Sequence, residues 1–190
     1  PIVRAALVHY QFETAHPFLD GNGRLGRLLI TLMLINDGVL HSCLFYPSFQ
    51  FKKNRSEYYR QLTSVRERGT YEEWIEFFCN SLLESAKDSV GSLKNLVDLH
   101  NRSTATITEN LGRTAANGQR LLGILEEHPI VDTAFIAAQL DIGRSTASSL
   151  VKSFEELGIL RPLDESRQRY RQYGYEEYLS ILREDAEPIR

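Results

Sequence analysis

The feature that most constrains the fold of this 190-residue chain is a twelve-residue stretch from His16 to Arg27, HPFLDGNGRLGR. It interrupts a sequence whose apolar residues otherwise have the spacing of a helix. Three of its residues are glycines, which have low helix propensity. On both sides apolar residues recur at steps of three and four, as on a buried helix face, and the second run ends at a helix stop, Asp37–Gly38. The pattern predicts a loop between two helices, with the end of the stretch opening the second helix.

The composition is that of an ordinary globular protein, with 42% hydrophobic residues, 25% charged residues and a net charge of −3. This charge gives no positive field to attract nucleic acid or an anionic membrane, and no apolar run reaches the roughly 18 residues of a membrane-spanning helix. Cys43 and Cys79 are too few for a disulfide framework, so we expect free thiols, a cytoplasmic location and no membrane partner. No metal-ligand spacing links the remaining histidines, which we expect in packing or on the surface: His9, His41, His100 and His128.

A polar stretch rich in small residues, NRSTATITENLGRTAANG, separates two parts of the chain that differ in the spacing of their apolar residues. We predict a mainly α fold with a helical core over residues 1–112, a linker over 113–119 and a winged helix-turn-helix domain over 120–190. The last prediction depends on the order of elements: a helix, two helices around a turn at Asp141, and the two strands of a small β-hairpin. The chain starts at Pro1 without a methionine, and we expect an N-terminal part of the core to precede it.

The glycines of the stretch suit the binding of a polyphosphate. Gly21 and Gly23 let backbone N–H groups approach an anion closely, and the following helix turns the positive end of its dipole to the same point. Asn22 adds a neutral side-chain donor. Arg24 and Arg27 lie three positions apart on the first turn, where cations disfavour the helix dipole, and an anionic ligand would offset that cost. Arginine also binds phosphate through two parallel hydrogen bonds.

Two further residues add chemistry to this predicted anion site. Asp20 supplies the kind of carboxylate oxygen that Mg²⁺ takes while it binds phosphates. His16 is able to take a proton near neutral pH and to deprotonate a hydroxyl that attacks phosphorus. We expect Pro17 and Phe18 to anchor the loop in the core. The residue types leave a second interpretation open, a capped helix start that binds nothing, and the stretch has neither a GxxxxGK[ST] pattern nor a preceding strand.

The stretch also resembles the signature of Fic-domain proteins at every defined position: His, any residue, Phe, any residue, Asp or Glu, then GNGR, two free positions and Arg. Two neighbouring segments are similar to that family as well, RAALVHYQFETAHPF and KKNRSEYY, so the resemblance covers about residues 1 to 85. The C-terminal winged helix resembles the module that often follows Fic domains in bacterial proteins. The resemblance implies an all-helical core and transfer of AMP from ATP to a Ser, Thr or Tyr hydroxyl of a target protein, this chain included, with release of pyrophosphate.

The resemblance further implies Mg²⁺ as cofactor, ATP as co-substrate and a role for each matched residue. His16 would be the general base and Asp20 the metal ligand. The other matched positions would bind the nucleotide: Gly21, Asn22 and Gly23 as the anion hole with Gly26 beside them, Arg24 on the β and γ phosphates, and Arg27 on the γ phosphate. Tyr59 falls where the family places a tyrosine of the nucleotide pocket, with Tyr58 as the alternative. Gly23 favours nucleotide transfer over the phosphate transfer of relatives that carry lysine there.

Two features of the family are not found in this sequence: the β-hairpin that docks the target before the motif, and the inhibitory pattern of Ser or Thr, three residues, Glu, then Gly or Asn. The nearest match to that pattern ends at Asn110 and fails because Ala105 stands in the hydroxyl position. We therefore expect target selection and inhibition to depend on sequence outside this chain.

The predicted winged helix offers a second function. Arg144, Ser145, Thr146 and Lys152 occupy positions of a recognition helix, and three arginines would decorate the wing: Arg167, Arg169 and Arg171. Residues 120–190 carry nine Lys or Arg against thirteen Asp or Glu, however, and DNA binding depends on neutralising phosphates. We favour a role in homodimerisation or target docking, and keep as the alternative a nucleotide-sensing, DNA-binding transcriptional regulator.

Overall fold

The computed structural model describes residues 1–41, 47–164 and 171–184, and it confirms the mainly α fold class. Contacts divide the chain into two compact units, Pro1–Gly91 and Ser92–Glu184. In the described part of the chain, no helix combines the length and the apolar composition that crossing a bilayer requires.

The first unit contains the helices that flank the glycine-rich stretch. Its helices are α1 (Ile2–Ala15), α2 (Asn22–Asn36), α3 (Ser48–Lys53), α4 (Arg55–Arg68) and the first part of α5 (Tyr71–Asn110). The stretch lies between α1 and α2, as predicted, and Asp37 caps the end of α2. Gly69 ends α4 in the left-handed conformation, φ 71°, which glycine adopts without steric cost.

Aromatic side chains fill the core of the first unit. The helical spacing of four apolar residues, Trp74, Phe77, Phe78 and Leu82, predicts a packed face of α5. Trp74, Phe78 and Leu82 are buried there, and Phe77 is half-buried. The Trp74 Nε1–H group donates to the Ala6 carbonyl of α1 at 3.0 Å, so the indole is both buried and hydrogen-bonded. Because Ala5 and Ala6 have small side chains and no exposed area, α1 approaches this core closely.

The second unit combines helices with a small antiparallel sheet. After the end of α5 come a 3₁₀ helix (Gly112–Thr114), α6 (Ala115–Glu127), β1 (Ile130–Asp132), α7 (Thr133–Leu140), α8 (Arg144–Glu156), β2 (Arg161–Pro162), β3 (Gln172–Gly174) and α9 (Glu176–Glu184). The strand order is β1-β3-β2, with Val131 and Pro162 both opposite Tyr173. Strand β1 was not predicted, because three residues are too few to show an alternating pattern.

The predicted linker over residues 113–119 takes part in packing. It forms the end of the 3₁₀ helix and the start of α6, where a side-chain carbon on Gly118 would lie 2.7 Å from Ile107 and 2.8 Å from Leu111. The boundary between the two units falls earlier in the sequence, between Gly91 and Ser92. The polar stretch that suggests a linker, residues 101–118, therefore forms the end of α5, the 3₁₀ helix and the start of α6. Its residue Ile107 lies in the core of the second unit.

Candidate functional site

The loop between α1 and α2 begins with a histidine in an unusual backbone conformation. His16 caps α1, with its N–H group donating to the Phe12 carbonyl at 3.0 Å. It adopts φ 44° and ψ 55°, a left-handed conformation that costs a residue with a side chain about 1 kcal/mol or more. The turn leads directly into Pro17 and leaves the His16 side chain exposed.

The side chain of Asn22 braces the loop from within. Its Oδ1 atom accepts from the Phe18 N–H at 2.9 Å, and its Nδ2 group donates to the Phe18 carbonyl. Asn22 is 2% exposed, whereas Phe18 is 52% exposed and Pro17 is exposed as well. The prediction that Pro17 and Phe18 anchor the loop is therefore wrong, because a buried amide ties the loop to α2 through the backbone of Phe18.

The first turn of α2 presents backbone donors. Gly21 precedes the helix in a left-handed conformation, φ 82°, and its carbonyl accepts the first intrahelical bond, from the N–H of Leu25 at 3.0 Å. Among the described residues, no acceptor is bonded to the N–H groups of Asn22, Gly23 and Arg24. Such a free first turn carries a partial positive charge and binds anions.

The two arginines of the stretch both fold back along this turn. A Cβ atom on Gly21 would lie 3.6 Å from Nη2 of Arg24, and a Cβ atom on Gly23 would lie 3.2 Å from Nη1 of Arg27. The Arg24 side chain is 78% exposed, while Arg27 is half-buried. The structure thus brings both guanidinium groups to the two glycines whose N–H groups were predicted to approach an anion.

Asp20 offers one exposed carboxylate beside these donors. Its Oδ1 atom accepts from the Gly21 N–H at 2.6 Å, its Oδ2 atom lies 3.4 Å from Arg24, and the side chain is 93% exposed. In the described ranges, no cluster of three or more His, Cys, Asp or Glu side chains is placed to hold a metal. A single accessible carboxylate fits Mg²⁺, which usually takes one or two protein carboxylates and completes its shell with water and phosphate oxygens.

Gly26 lies at the contact between α1 and α2. It is buried, and a methyl group there would clash with Glu13 and lie 3.1 Å from Phe12 and 3.2 Å from His9. The His9 Nδ1–H group donates to the Gly26 carbonyl at 2.9 Å, and its Nε2 atom accepts from the Tyr58 hydroxyl at 2.9 Å. This buried chain of hydrogen bonds joins α1, α2 and α4 behind the loop.

The two candidate tyrosines face different surroundings. Tyr58 is 3% exposed, and burial, followed by the charge of Glu13, raises the pKa of its hydroxyl. Tyr59 is 50% exposed, with the guanidinium of Arg55 5.6 Å from the centre of its ring. It lines a shallow groove along α4 together with polar residues of that helix: Ser56, Arg60, Thr63, Glu67 and Arg68. Tyr59 therefore has an accessible ring, and Tyr58 belongs to the hydrogen-bonded core.

The residues of the predicted recognition helix lie on α8. Arg144, Ser145 and Thr146 are exposed on its first turn. Lys152 lies 3.7 Å from Glu156, so a carboxylate is close to this cation. Arg171 lines a groove between α7, α8 and β3, whereas Arg167 and Arg169 lie outside the described residues.

Comparison with known proteins places similarity around the loop. Residues 1–34 match the Fic/DOC family. The chain is 34% identical over 98 residues to the protein adenylyltransferase fic-1 of Caenorhabditis elegans, which covers 52% of this chain and 18% of the relative. It is 36% identical over 80 residues to the protein adenylyltransferase Fic of Drosophila grimshawi, which covers 42% of this chain and 15% of the relative. The chain thus matches less than a fifth of the length of these curated relatives.

Proposed function

We propose that this chain carries the catalytic loop of a protein adenylyltransferase, which transfers AMP from ATP to a Ser, Thr or Tyr hydroxyl of a protein. The observation that supports the proposal most is the composition of the loop. One short stretch contains free N–H groups at the start of α2, two arginine side chains folded back along that turn, an exposed carboxylate and an exposed imidazole. The match of residues 1–34 to the Fic/DOC family and the names of the relatives support AMP as the transferred group.

The triphosphate would bind at the first turn of α2. Its phosphate oxygens accept from the free N–H groups of Asn22, Gly23 and Arg24, while the Arg24 and Arg27 side chains neutralise the charge of the β and γ phosphates. Asp20 would hold Mg²⁺, which when bound reduces the negative charge of the phosphates. Asn22 and Gly26 shape this site from within, because Asn22 fixes the loop and Gly26 lets α1 and α2 meet. We propose the exposed ring of Tyr59 as a contact for the nucleotide.

His16 would supply the general base. It takes the proton of the target hydroxyl as the hydroxyl oxygen attacks the α phosphorus, and the bond from that phosphorus to the β,γ-pyrophosphate breaks. The products are a phosphodiester-linked AMP on the protein and free pyrophosphate. His16 has a left-handed backbone conformation, and both its imidazole and the Asp20 carboxylate are exposed.

We further propose that the second unit is a winged helix-turn-helix domain that serves homodimerisation or docking of the target protein. The order α6, β1, α7, α8, β2 and β3, with an antiparallel sheet, supports this assignment. DNA binding is less favoured, since Glu156 lies beside Lys152 on the helix that would enter a groove.

ATP labelled on either the α or the γ phosphate tests the reaction class. The chain is incubated with Mg²⁺ and a cell lysate, and protein-bound label is measured after electrophoresis. Relative to the same lysate without the chain, we expect additional label from α-labelled ATP on the chain itself or on a lysate protein, and no additional label from γ-labelled ATP, because pyrophosphate leaves. Label from γ-labelled ATP alone would identify phosphate transfer, and no label from either would contradict the proposed function.

Replacing Arg24 with alanine tests the proposed triphosphate contact. Because Arg24 is assigned to the β and γ phosphates, R24A should weaken ATP binding by about tenfold, the loss of one exposed charge-assisted contact, and should change AMP binding little. Isothermal titration with ATP and AMP measures both affinities, and Arg66→Ala, an exposed arginine of α4, serves as control. Equal weakening for ATP and AMP would contradict this role.

A further inference from the structure

One buried histidine has no part in the reaction described above. His9 lies on α1 and is 1% exposed. Both of its ring nitrogens make hydrogen bonds: Nδ1–H donates to the Gly26 carbonyl at 2.9 Å, and Nε2 accepts from the Tyr58 hydroxyl at 2.9 Å. Packing among aromatic rings does not require a polar side chain, and burying one is unfavourable unless it is hydrogen-bonded. The two bonds therefore distinguish His9 from the apolar residues around it.

The bond to Gly26 acts on the start of α2. A Cβ atom on Gly26 would lie 3.2 Å from Cε1 of His9, so the imidazole lies directly against the backbone of α2. Gly26 is one helical turn after Asn22, where the free first turn begins, and directly before Arg27. Because each N–H group of an α-helix donates to the carbonyl four residues earlier, the Gly26 N–H group bonds the Asn22 carbonyl. The position of Gly26 therefore determines where the free N–H groups of α2 lie.

Few side chains hold this end of α2. In the described part of the chain, the bond from His9 is the one side-chain hydrogen bond between the first two turns of α2 and another helix. Asn22 bonds Phe18 within the loop, and an ion pair between Arg4 and Asp37 holds the opposite end of α2. A change at His9 therefore acts on the end of α2 that presents the free N–H groups.

The Tyr58 hydroxyl stabilises the form of His9 that the bond to Gly26 requires. A neutral imidazole has one N–H donor and one acceptor nitrogen, and a donor on Nδ1 leaves Nε2 to accept from Tyr58. Burial lowers the pKa of His9 to about 4, so the ring is neutral at pH 7. Tyr58 thus fixes the orientation in which Nδ1–H faces Gly26.

We propose that His9 is a positioning residue of the anion site, whose Nδ1–H bond to the Gly26 carbonyl holds the free N–H groups of α2 in the orientation that receives the phosphates. This inference rests on the proposed function. A site is most precise when a further layer of hydrogen bonds locks the groups that contact the ligand. A support that is in place before the ligand binds also reduces the entropy lost on binding.

Two substitutions at His9 separate this role from a structural one. His9→Leu keeps the bulk but removes both hydrogen bonds. His9→Asn leaves more empty space, but its Nδ2 group is attached to Cγ, as Nδ1 of histidine is, and can donate to Gly26. H9N should therefore unfold at the same temperature as H9L or at a lower one. Trp74→Phe is the control, because it removes the bond from Trp74 to the Ala6 carbonyl of α1 and leaves α2 unchanged.

Titration calorimetry with Mg²⁺ and either ATP or inorganic tripolyphosphate measures the effect on binding. H9L should weaken the binding of both by about tenfold, whereas H9N should weaken it by less than about threefold and W74F should not change it. The order of affinities then differs from the order of melting temperatures, which a merely structural role does not produce. Equal affinities in H9L and the wild-type chain, or equal losses in H9L and H9N, would overturn the proposal.

The backbone N–H signals of Asn22, Gly23 and Arg24 in NMR spectra test the position of the turn without a ligand. Their chemical shifts should change in H9L and stay near the wild-type values in H9N and W74F. His9→Met replaces H9L if H9L does not fold, because methionine fills irregular space. Signals that do not change in H9L overturn the proposal. Signals that change in H9L alone, in a chain that binds neither ATP nor tripolyphosphate, would support the role of His9 and contradict the proposed function instead.

Discussion

Acidification from pH 7 to pH 4 is expected to lower the free energy of unfolding of the first unit by about 3 kcal/mol through His9. Folding lowers the pKa of His9 from 6.5 to about 4, because the side chain is buried. A tenfold change in proton affinity corresponds to about 1.4 kcal/mol. The unfolded chain binds this proton below pH 6.5, whereas the folded chain resists it until about pH 4. The stabilisation is therefore complete above pH 6.5 and is lost as the pH falls toward 4.

The surroundings of His9 explain why the folded chain excludes the proton. The residue is 1% exposed, and its ring lies 5.9 Å from Phe51 and 6.1 Å from Trp74, nearly parallel to both. Its Nδ1–H group donates to Gly26, so Nε2 is the acceptor for the Tyr58 hydroxyl. Protonation would add a hydrogen to Nε2, which carries none in this tautomer, break the bond from the Tyr58 hydroxyl in its present orientation, and bury a charge.

Trp74 provides a probe that reports on the first unit alone, because it is the single tryptophan of the chain. Urea unfolding followed by its fluorescence between pH 7.5 and pH 4.5 should show stability falling with pH in the wild-type chain. His9→Gln should be less stable at pH 7 but should lose most of this slope, while His41→Gln, at an exposed position, should keep it. The comparison also removes the opposite contribution of Glu13, whose raised pKa favours the folded state on acidification. An equal slope in His9→Gln would contradict the assignment.

The helices around the loop could be predicted from the sequence because their signals are local. Glycines, the step of three and four, and the stop at Asp37 define α1, the loop and α2 without reference to the rest of the chain. The sequence predicts a trailing helix that fades into a linker near residue 112, and α5 ends at Asn110. The boundary between the two units at Ser92, within this helix, could not be predicted, because the serines, threonines and asparagines that follow it are typical of a linker. The apolar positions of that segment, Leu99 and Ile107 among them, are stabilised by packing in the second unit rather than by helix propensity.

The sequence predicted which residue types lie in the candidate site, but it predicted less well which contacts each of them makes. The sequence indicated donors, a carboxylate and a base in one loop, but it did not show that the Asn22 amide braces the backbone of Phe18. The link from His9 to Gly26 and Tyr58 joins residues 17 and 49 positions apart, and such contacts depend on how helices pack.

Loss of the His16 imidazole should have the largest effect on the reaction. A positioned general base contributes about 10²- to 10⁴-fold to a rate, so His16→Ala should slow AMP transfer by that factor. His16→Asn is the second variant, because asparagine tolerates the left-handed conformation found at this position and does not take a proton near neutral pH. Both variants should bind ATP as the wild-type chain does, since the phosphate contacts belong to α2 and Asp20.

The central claim is that the loop from His16 to Arg27 transfers AMP with His16 as the base. The rate of protein labelling from α-labelled ATP with Mg²⁺ tests it, measured side by side for the wild-type chain, His16→Ala, His16→Asn and the exposed control His41→Ala. We predict labelling by the wild-type chain and by His41→Ala, and a loss of at least about 100-fold in both His16 variants. Labelling by either His16 variant at the wild-type rate would contradict the account.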